Sequence, residues 1–339
     1  MHHIQLKSIT VLMCVYNGER FLAEQLESIH NQTCQPEEVI IYDDCSTDSS
    51  INIINQFINK YNLSSWKINI NKFRKGWRLN FYDAILNCKG DYIFFSDQDD
   101  IWYPEKISIM METIQNNPNI LVLTGFFKTI DINGRPVNVL DWTKNNIYNH
   151  KVIKSDIGET IFVWKHRIGC AMVIHKTIKE QLRHFIRDET FTHDIWALNI
   201  GALLGGCYHI NYPVIQYRLH ENNVSAKYTN KMLNRSERIH QLEEKIKFLE
   251  YIYNGVRLIN NAIINQNEYQ VFLKSISFYK FKLNSIIKFN FINVFRLISY
   301  IKIYFSYYNL KYFFIDFFEI FRLRDFARRI KRFGKNNNE

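Results

Sequence analysis

The run Asp97-Gln98-Asp99-Asp100 puts three carboxylates in four residues, directly after the apolar segment Tyr92-Ile93-Phe94-Phe95. A buried strand that ends in clustered acids is costly, because like charges repel and raise one another's pKa. A divalent cation relieves that cost. Carboxylate oxygens are hard ligands that suit Mg²⁺ or Mn²⁺, and either ion also holds a diphosphate. The segment points to nucleoside diphosphate chemistry at the carboxyl end of a strand.

The elements around it read as a repeated strand–helix alternation. Ile9–Val15 is an apolar strand. Residues 19–30 have helical spacing, with Phe21, Leu22, Leu26 and Ile29 on one face. Residues 39–42 form a second strand that ends at Asp43-Asp44, and Ser46 is placed to cap a helix running to about residue 60. Trp66–Ile70, a helix over 80–87, a strand over 92–95, a helix opened by Pro104 and a strand over 120–123 continue the pattern. Such alternation with short links predicts an α/β fold built on a mostly parallel, doubly wound sheet. Ligands of such sheets bind at strand carboxyl ends. Asn17-Gly18, Asp43-Asp44 and the acid run all fall there.

Beyond residue 130 the pattern loosens. Residues 131–156 are polar with turn signals and read as a loop. Residues 169–175 look like a strand, 195–204 like a helix, and 207–217 like strands broken by Pro213. From about residue 232 the chain reads as helical to its end, with 335–339 disordered.

The chain has 339 residues, enough for one large domain and an appendage, and its 47% hydrophobic and 22% charged content is that of a globular protein. None of its six cysteines forms a Cys-x-x-Cys pair, which argues against zinc. No secretory leader is expected, since polarity interrupts the N-terminus by Glu19, and reduced thiols fit a cytoplasmic setting. The net charge of +10 is uneven: residues 271–339 hold 14 Lys/Arg against 4 Asp/Glu, whereas the other 270 residues carry 29 of each sign. The same tail holds 20 of the 52 aromatic residues. A basic, aromatic tail on a neutral body suits an anionic surface as partner.

Taken in order, five segments resemble a family 2 glycosyltransferase with the GT-A fold. They are residues 10–18, 39–46, 96–102, Thr192-His193-Asp194-Ile195-Trp196 and Tyr217-Arg218-Leu219-His220. The match spans about residues 7–225. The Asp-Gln-Asp-Asp-Ile-Trp wording, with His-Asp and Tyr-Arg-x-His downstream, is most similar to the bacterial rhamnosyltransferase-like branch. The resemblance implies a Rossmann-like catalytic domain over 1–228, with a nucleotide-sugar half to about 130 and an acceptor half from 131. A helical, membrane-associating or packing extension over 229–334 would follow.

The resemblance also implies roles. Asp44, or alternatively Asp43, would accept the N3–H of a pyrimidine base, since a carboxylate accepts and does not donate. Tyr16 would pack on the base or be a simple turn aromatic. Asp97 would face the ribose or a metal-bound water, Asp99 would bind the metal that bridges the phosphates, and Asp100 would cap the next helix or support the site. His220 would bind metal or phosphate, and Arg218 would meet the diphosphate as a planar guanidinium. Arg78 and Asn80 match a segment beside the donor. Gly169, Cys170 and His193 match the acceptor side, where His193 replaces a commoner Glu. Asp194 would be the general base that takes the acceptor hydroxyl's proton, with Asp188 and Glu189 as nearby competitors.

These roles imply a metal-dependent, inverting transfer of a sugar, best matched to L-rhamnose from dTDP-rhamnose, onto a polyprenyl-linked glycan in O-antigen or capsule synthesis. UDP-galactose or UDP-glucose is the alternative donor. The enzyme would work at the inner face of the plasma membrane, peripherally bound through 271–334. The helical segment 312–333, with phenylalanines among arginines, fits an interfacial anchor or a packed subdomain. No recognition motif supports nucleic acid as a partner. A nucleotidyltransferase would want a basic, Gly-rich loop after the first strand, and Asn17-Gly18-Glu19-Arg20 is not one. A non-catalytic scaffold is disfavoured by the intact Asp97, Asp99 and Asp194.

Overall fold

The computed structural model describes residues 7–137, 149–162, 168–183, 192–221, 223, 234–259, 263–288, 292–307 and 313. The tail segment 312–333 (save Phe313), residues 335–339, Asp188 and Glu189 therefore lie outside the described residues. The chain divides into two compact units: residues 1–156 with 165–229, and residues 157–164 with 230–339.

The first unit is built on β1 (Ile9–Val15), every residue of which is buried. It can be so because parallel strands line it on both sides: β2 (Glu38–Asp43) on one and β4 (Tyr92–Ser96) on the other. β3 (Trp66–Ile70) extends the sheet beyond β2, also parallel. Three helices provide the crossovers: α1 (Leu22–His30), α2 (Ser50–Tyr61) and α3 (Trp77–Asn87). α1 buries Leu22, Leu26 and Ile29, the spacing of one helical face. A parallel sheet covered on both faces requires such continuous apolar strands.

The short β5 (Ile101–Trp102) follows the acid run, and α4 (Lys106–Asn116) follows it. β6 (Val122–Ile130) then returns, longer than the four residues expected. Within the expected loop lies β7 (Val152–Lys154), and α5 (Ile157–Phe162), in the second unit, follows directly after it. A tight 3₁₀ turn over Gly169–Ala171 leads into β8 (Met172–His175) and α6 (Lys176–Leu182). α7 (His193–Leu203) and β9 (Cys207–Arg218) complete the unit. The strand order is β3-β2-β1-β4-β8-β6-β9-β5, with β7 on β9. The long ladders are parallel, and the mixed α/β sheet is of the expected class.

Direction within this sheet decides what meets what. β8 runs antiparallel to β4, with Phe94 opposite Val173. The turn that precedes β8 therefore arrives beside the end of β4 and its acids. β6 is antiparallel to β8 and parallel to β9, so the end of β9 arrives there too.

Three local expectations are corrected. Ser46 does not cap α2: its Oγ accepts from Asn17 N at 2.9 Å, and the helix begins four residues later at Ser50. α3 begins at Trp77 rather than Asn80, because Gly76 with φ 81° turns the chain directly into it. Pro213 does not split β9; it sits opposite Phe126 at a register irregularity, and the strand continues past it.

The second unit is helical. α8 (Arg235–Val256) opens on a capping box between Asn234 and Glu237, and α9 (Gln266–Ile287) is capped by Asn265. The Glu268 carboxylate in the first turn of α9 accepts from Ile157 N of α5 at 2.8 Å. Leu242, Leu249, Phe272 and Phe278 are buried on these helices. α10 (Ile292–Ser299) and α11 (Ile301–Tyr307) follow. No helix among the described residues is long and apolar enough to cross a membrane.

Candidate active site

The carboxyl ends of β1, β2 and β4 carry residues 16–18, 43–46 and 97–100, and the structure locks these loops together. Gln98 donates from Nε2 to Tyr16 O at 3.1 Å and accepts from Tyr16 N at 2.8 Å through Oε1. A Cβ at Gly18 would lie 2.6 Å from that same Oε1, so a larger residue there would have to push the Gln98 amide aside. On the other side, Asn17 Oδ1 accepts from Thr47 N at 2.8 Å, and Asp43 Oδ1 accepts from Ser46 N at 2.9 Å.

Asp44 is 2% exposed and anchors the segment after β3. Its Oδ1 accepts from Asn71 Nδ2 at 2.9 Å and from Lys75 N at 2.8 Å, and its Oδ2 accepts from Gly76 N at 2.7 Å. A carboxylate offers about four acceptor positions, so one further donor can be taken. Asn80 is buried and joins this network: it accepts from Asn71 Nδ2 at 2.9 Å and donates to Tyr42 O at 3.1 Å. The Tyr16 ring stacks under the Arg74 guanidinium at 4.0 Å. Arg78 lies over Trp77 at 4.4 Å, and its Nε is buried with no hydrogen-bond partner.

The acid run separates into two groups. In the outer one, Asp99 Oδ2 and His220 Nε2 are 2.8 Å apart. In the inner one, ligand atoms of Asp97, Asp100 and Cys170 lie within 4.8 Å of one another. Burial, then the charges of Asp99 and Asp194, raise the Asp97 carboxyl to about 7. Burial and the same acidic neighbourhood push Asp100 well above the usual carboxylate range. Asp100 does not cap the following helix: Oδ1 accepts from Arg218 N at 3.1 Å, and Oδ2 is buried without a hydrogen bond. The Cys170 thiol is raised by its burial and by the Asp100 and Asp97 charges. Cys170 therefore sits with the acids.

Arg218 is corrected as well. It is 1% exposed, and its guanidinium is spent within the protein. Nε donates to Asp99 O at 2.9 Å, Nη1 to Ile132 O at 3.4 Å, and Nη2 pairs with Glu24, while the plane stacks on Phe21 at 4.6 Å. It clamps the acid run to α1, and the clamp takes up three of its five N–H donors.

Asp194 sits in the first turn of α7, where an acid is favoured by the helix dipole. Its Oδ1 accepts from Ile195 N at 2.9 Å and from the Thr192 hydroxyl. Oδ2 would stand 3.5 Å from a Cβ built on Gly169, so the glycine leaves that oxygen uncovered. The influence of Asp194 on Asp97 places the two carboxylates in one electrostatic neighbourhood. His193 is packed among aromatic side chains. It stacks on Phe81 at 4.0 Å and meets Phe95 edge-on at 4.8 Å, 5% exposed. Burial lowers its pKa to about 4, so it is a neutral packing residue at ordinary pH.

Three residues of this neighbourhood escaped the sequence reading: Gln98, Asn71 and Lys106. Lys106 is fully buried, donates to Cys170 O at 2.6 Å and lies 3.3 Å from the Trp102 ring centroid. Its signal was a lysine four residues before Met110, on the buried stripe of α4.

A Rossmann-like sheet with carboxylates gathered at its parallel strand ends defines a GT-A glycosyltransferase site. The model of the family described as Glycosyl transferase family 2 matches residues 10–179, and the chain belongs to that family. It is 26% identical over 260 residues to an uncharacterized glycosyltransferase of Haemophilus influenzae, covering 75% of this chain and 78% of that one. It is 30% identical over 225 residues to the dTDP-rhamnosyl transferase RfbG of Shigella flexneri, covering 62% of this chain and 72% of that one. Among solved structures, S. aureus TarS 1-349 in complex with UDP-GlcNAc aligns with TM-score 0.54 at 17% identity, over 71% of this chain and 66% of that chain.

Proposed function

We propose that this glycosyltransferase moves a sugar from a nucleoside diphosphate donor with inversion, and that Asp194 is its general base. The observation that carries the reading is the meeting of Asp97 and Asp99 with Asp194 at one end of the sheet, from two separate stretches of chain. Asp99 and His220, 2.8 Å apart, would give a carboxylate and an imidazole to Mg²⁺ or Mn²⁺, with Asp97 of the adjoining group as the further carboxylate read as a ligand. The buried Asp100 Oδ2 makes no hydrogen bond, which supports the reading: it is an acceptor in this neighbourhood left for a cation or a proton. A bound divalent ion would neutralise charge on the departing diphosphate.

The remaining steps belong to the chain's own residues. Asp44 keeps one acceptor position for a base N3–H, and Tyr16 with Arg74 offers a stacked face for the base. With Arg218 spent, cationic support for the diphosphate falls to Arg74 and Arg78 on the segment held by Asp44. Asp194 Oδ2, left open by Gly169, takes the acceptor hydroxyl's proton as that oxygen attacks the anomeric carbon. One displacement with one base and no enzyme nucleophile inverts the centre.

The donor is read as dTDP-L-rhamnose and the acceptor as a polyprenyl-linked glycan of a surface polysaccharide, supported by the likeness to RfbG. A UDP-sugar is the second reading, supported by the UDP-GlcNAc complex of TarS. The extension over 229–334 is read as a membrane-associating or packing element, with 271–334 meeting the membrane peripherally at the cytoplasmic face. A donor-hydrolysis screen across dTDP- and UDP-sugars with Mg²⁺ or Mn²⁺ tests the reading. Turnover of one donor alone would identify it; none with any donor would overturn the function.

A further inference from the structure

A general base at Asp194 needs one carboxylate oxygen aimed at the acceptor, and the chain ties up the other. Asp194 is the second residue of α7, whose N-cap is Thr192. An N-cap threonine ordinarily accepts from a first-turn backbone N–H through its hydroxyl oxygen. Thr192 makes no such cap bond. Its hydroxyl donates instead to Asp194 Oδ1, and the Ile195 N–H that a cap would take donates to that same oxygen at 2.9 Å. The backbone still enters the helix in the usual way, with Trp196 N donating to Thr192 O at 3.2 Å. A carboxylate oxygen has about two acceptor positions. Both on Oδ1 are filled from within residues 192–195, so a proton arriving at this carboxylate goes to Oδ2. A Cβ at Gly169 would stand 3.5 Å from that oxygen.

We propose that Thr192 is a positioning residue for the transfer: its hydroxyl fixes the Asp194 carboxylate so that Oδ2, and not Oδ1, meets the acceptor hydroxyl. The terminal torsion of an aspartate is broad, with no sharp preference of its own. The bond from Ile195 N comes from the adjacent residue, and a single anchor leaves the carboxylate plane free to swing about it. The Thr192 hydroxyl is the second anchor, and two anchors on one oxygen define where the other points. On this account Thr192 acts through Asp194 alone. The inference rests on the reading of Asp194 as the base and deepens it.

The test compares wild type with Thr192→Val, Thr192→Ser, Asp194→Asn and Thr192→Val/Asp194→Asn, all full length. The probes are dTDP-L-rhamnose, UDP-glucose and UDP-galactose with Mn²⁺, water serving as acceptor. Release of nucleoside diphosphate gives kcat and the donor KM, and thermal melting is followed separately. Thr192→Val keeps the shape of threonine without the hydroxyl. It should lose about tenfold or more in kcat at unchanged donor KM, since a misplaced catalytic group can cost on the order of 10²-fold. Thr192→Ser keeps the hydroxyl and should stay within about twofold of wild type. Added to Asp194→Asn, the valine should cost nothing further, because no base is left to aim. A residue that only caps α7 would lower the melting temperature of Thr192→Val without moving kcat, or would slow both backgrounds by the same factor. Either result overturns the proposal, as does a serine variant as slow as the valine one. Normal turnover by Asp194→Asn would instead sink the base reading, and the role of Thr192 in the transfer would fall with it. A wild type inert toward every probe would do the same to the transferase reading beneath both.

Discussion

His220 Nε2 stands 2.8 Å from Asp99 Oδ2, although the two residues are 121 apart in sequence. The pairing follows from β9 running parallel to β6, which brings the end of β9 to the acid run. Asp99→Asn should abolish Mn²⁺-dependent binding of a nucleoside diphosphate, and His220→Ala should weaken it. Isothermal calorimetry with and without Mn²⁺ measures both. Wild-type affinity in Asp99→Asn would remove that residue from the metal site.

Asp194→Asn should keep donor affinity and lose turnover. A missing general base costs roughly 10²–10⁴-fold. Asn retains an acceptor for Ile195 N, so that local hydrogen bond is preserved and the loss reads as chemistry. Single-turnover rates decide it, and near-normal rates would move the base elsewhere.

Arg218→Lys should destabilise the protein before it affects the donor. A lysine cannot serve Asp99 O, Ile132 O and Glu24 together; the exposed Glu24 can turn to water, so the cost falls on the carbonyls, about 1–3 kcal/mol for one left buried and unpaired. Urea unfolding without ligand should show the loss. A variant as stable as wild type, but with weakened donor binding, would return Arg218 to the diphosphate.

His193 gives stability a pH dependence with a defined sign. Its imidazole is protonated near 6.5 in the unfolded chain and only near 4 when folded. The unfolded state therefore binds the extra proton between those values. Stability should fall as pH drops from about 6.5 to about 4, by about 3 kcal/mol from this residue. His193→Phe keeps an aromatic between Phe81 and Phe95 and should flatten that part of the curve. Chemical denaturation across the window measures the difference between the two proteins.

Membrane binding of the second unit should combine charge with apolar insertion. Ile298 at 52% and Phe305 at 67% exposure stand near Arg296 and Lys302. Each basic residue close to an anionic surface contributes about 1 kcal/mol. Co-sedimentation with phosphatidylserine vesicles should weaken with salt without vanishing, and Phe305→Asp should reduce it. Equal partitioning of the variant would assign these residues to packing.

The strands at the centre were legible because β1, β2 and β4 are buried on both faces and read as unbroken apolar runs. The acids at their ends were legible for the same reason, since a charge cluster after a buried run has few structural explanations. What the sequence hid depends on strand direction. Cys170 reaches Asp97 only because β8 runs against β4, and Arg218 reaches Glu24 across 194 positions. A guanidinium looks identical on paper whether it waits for a phosphate or is already spent. Lys106 was hidden because a lysine at the start of a helix is ordinarily solvated.

The contact between Gln98 and the Tyr16 backbone, with Gly18 beneath it, bears on how such an enzyme could be re-engineered. A larger residue at 18 must displace the Gln98 amide, and with it the spacing of the acids on either side. Residues 16–18 and 98 therefore form a single transplantable cassette. Swapping the loop after β1 between relatives to alter donor choice requires carrying residue 98 along with it.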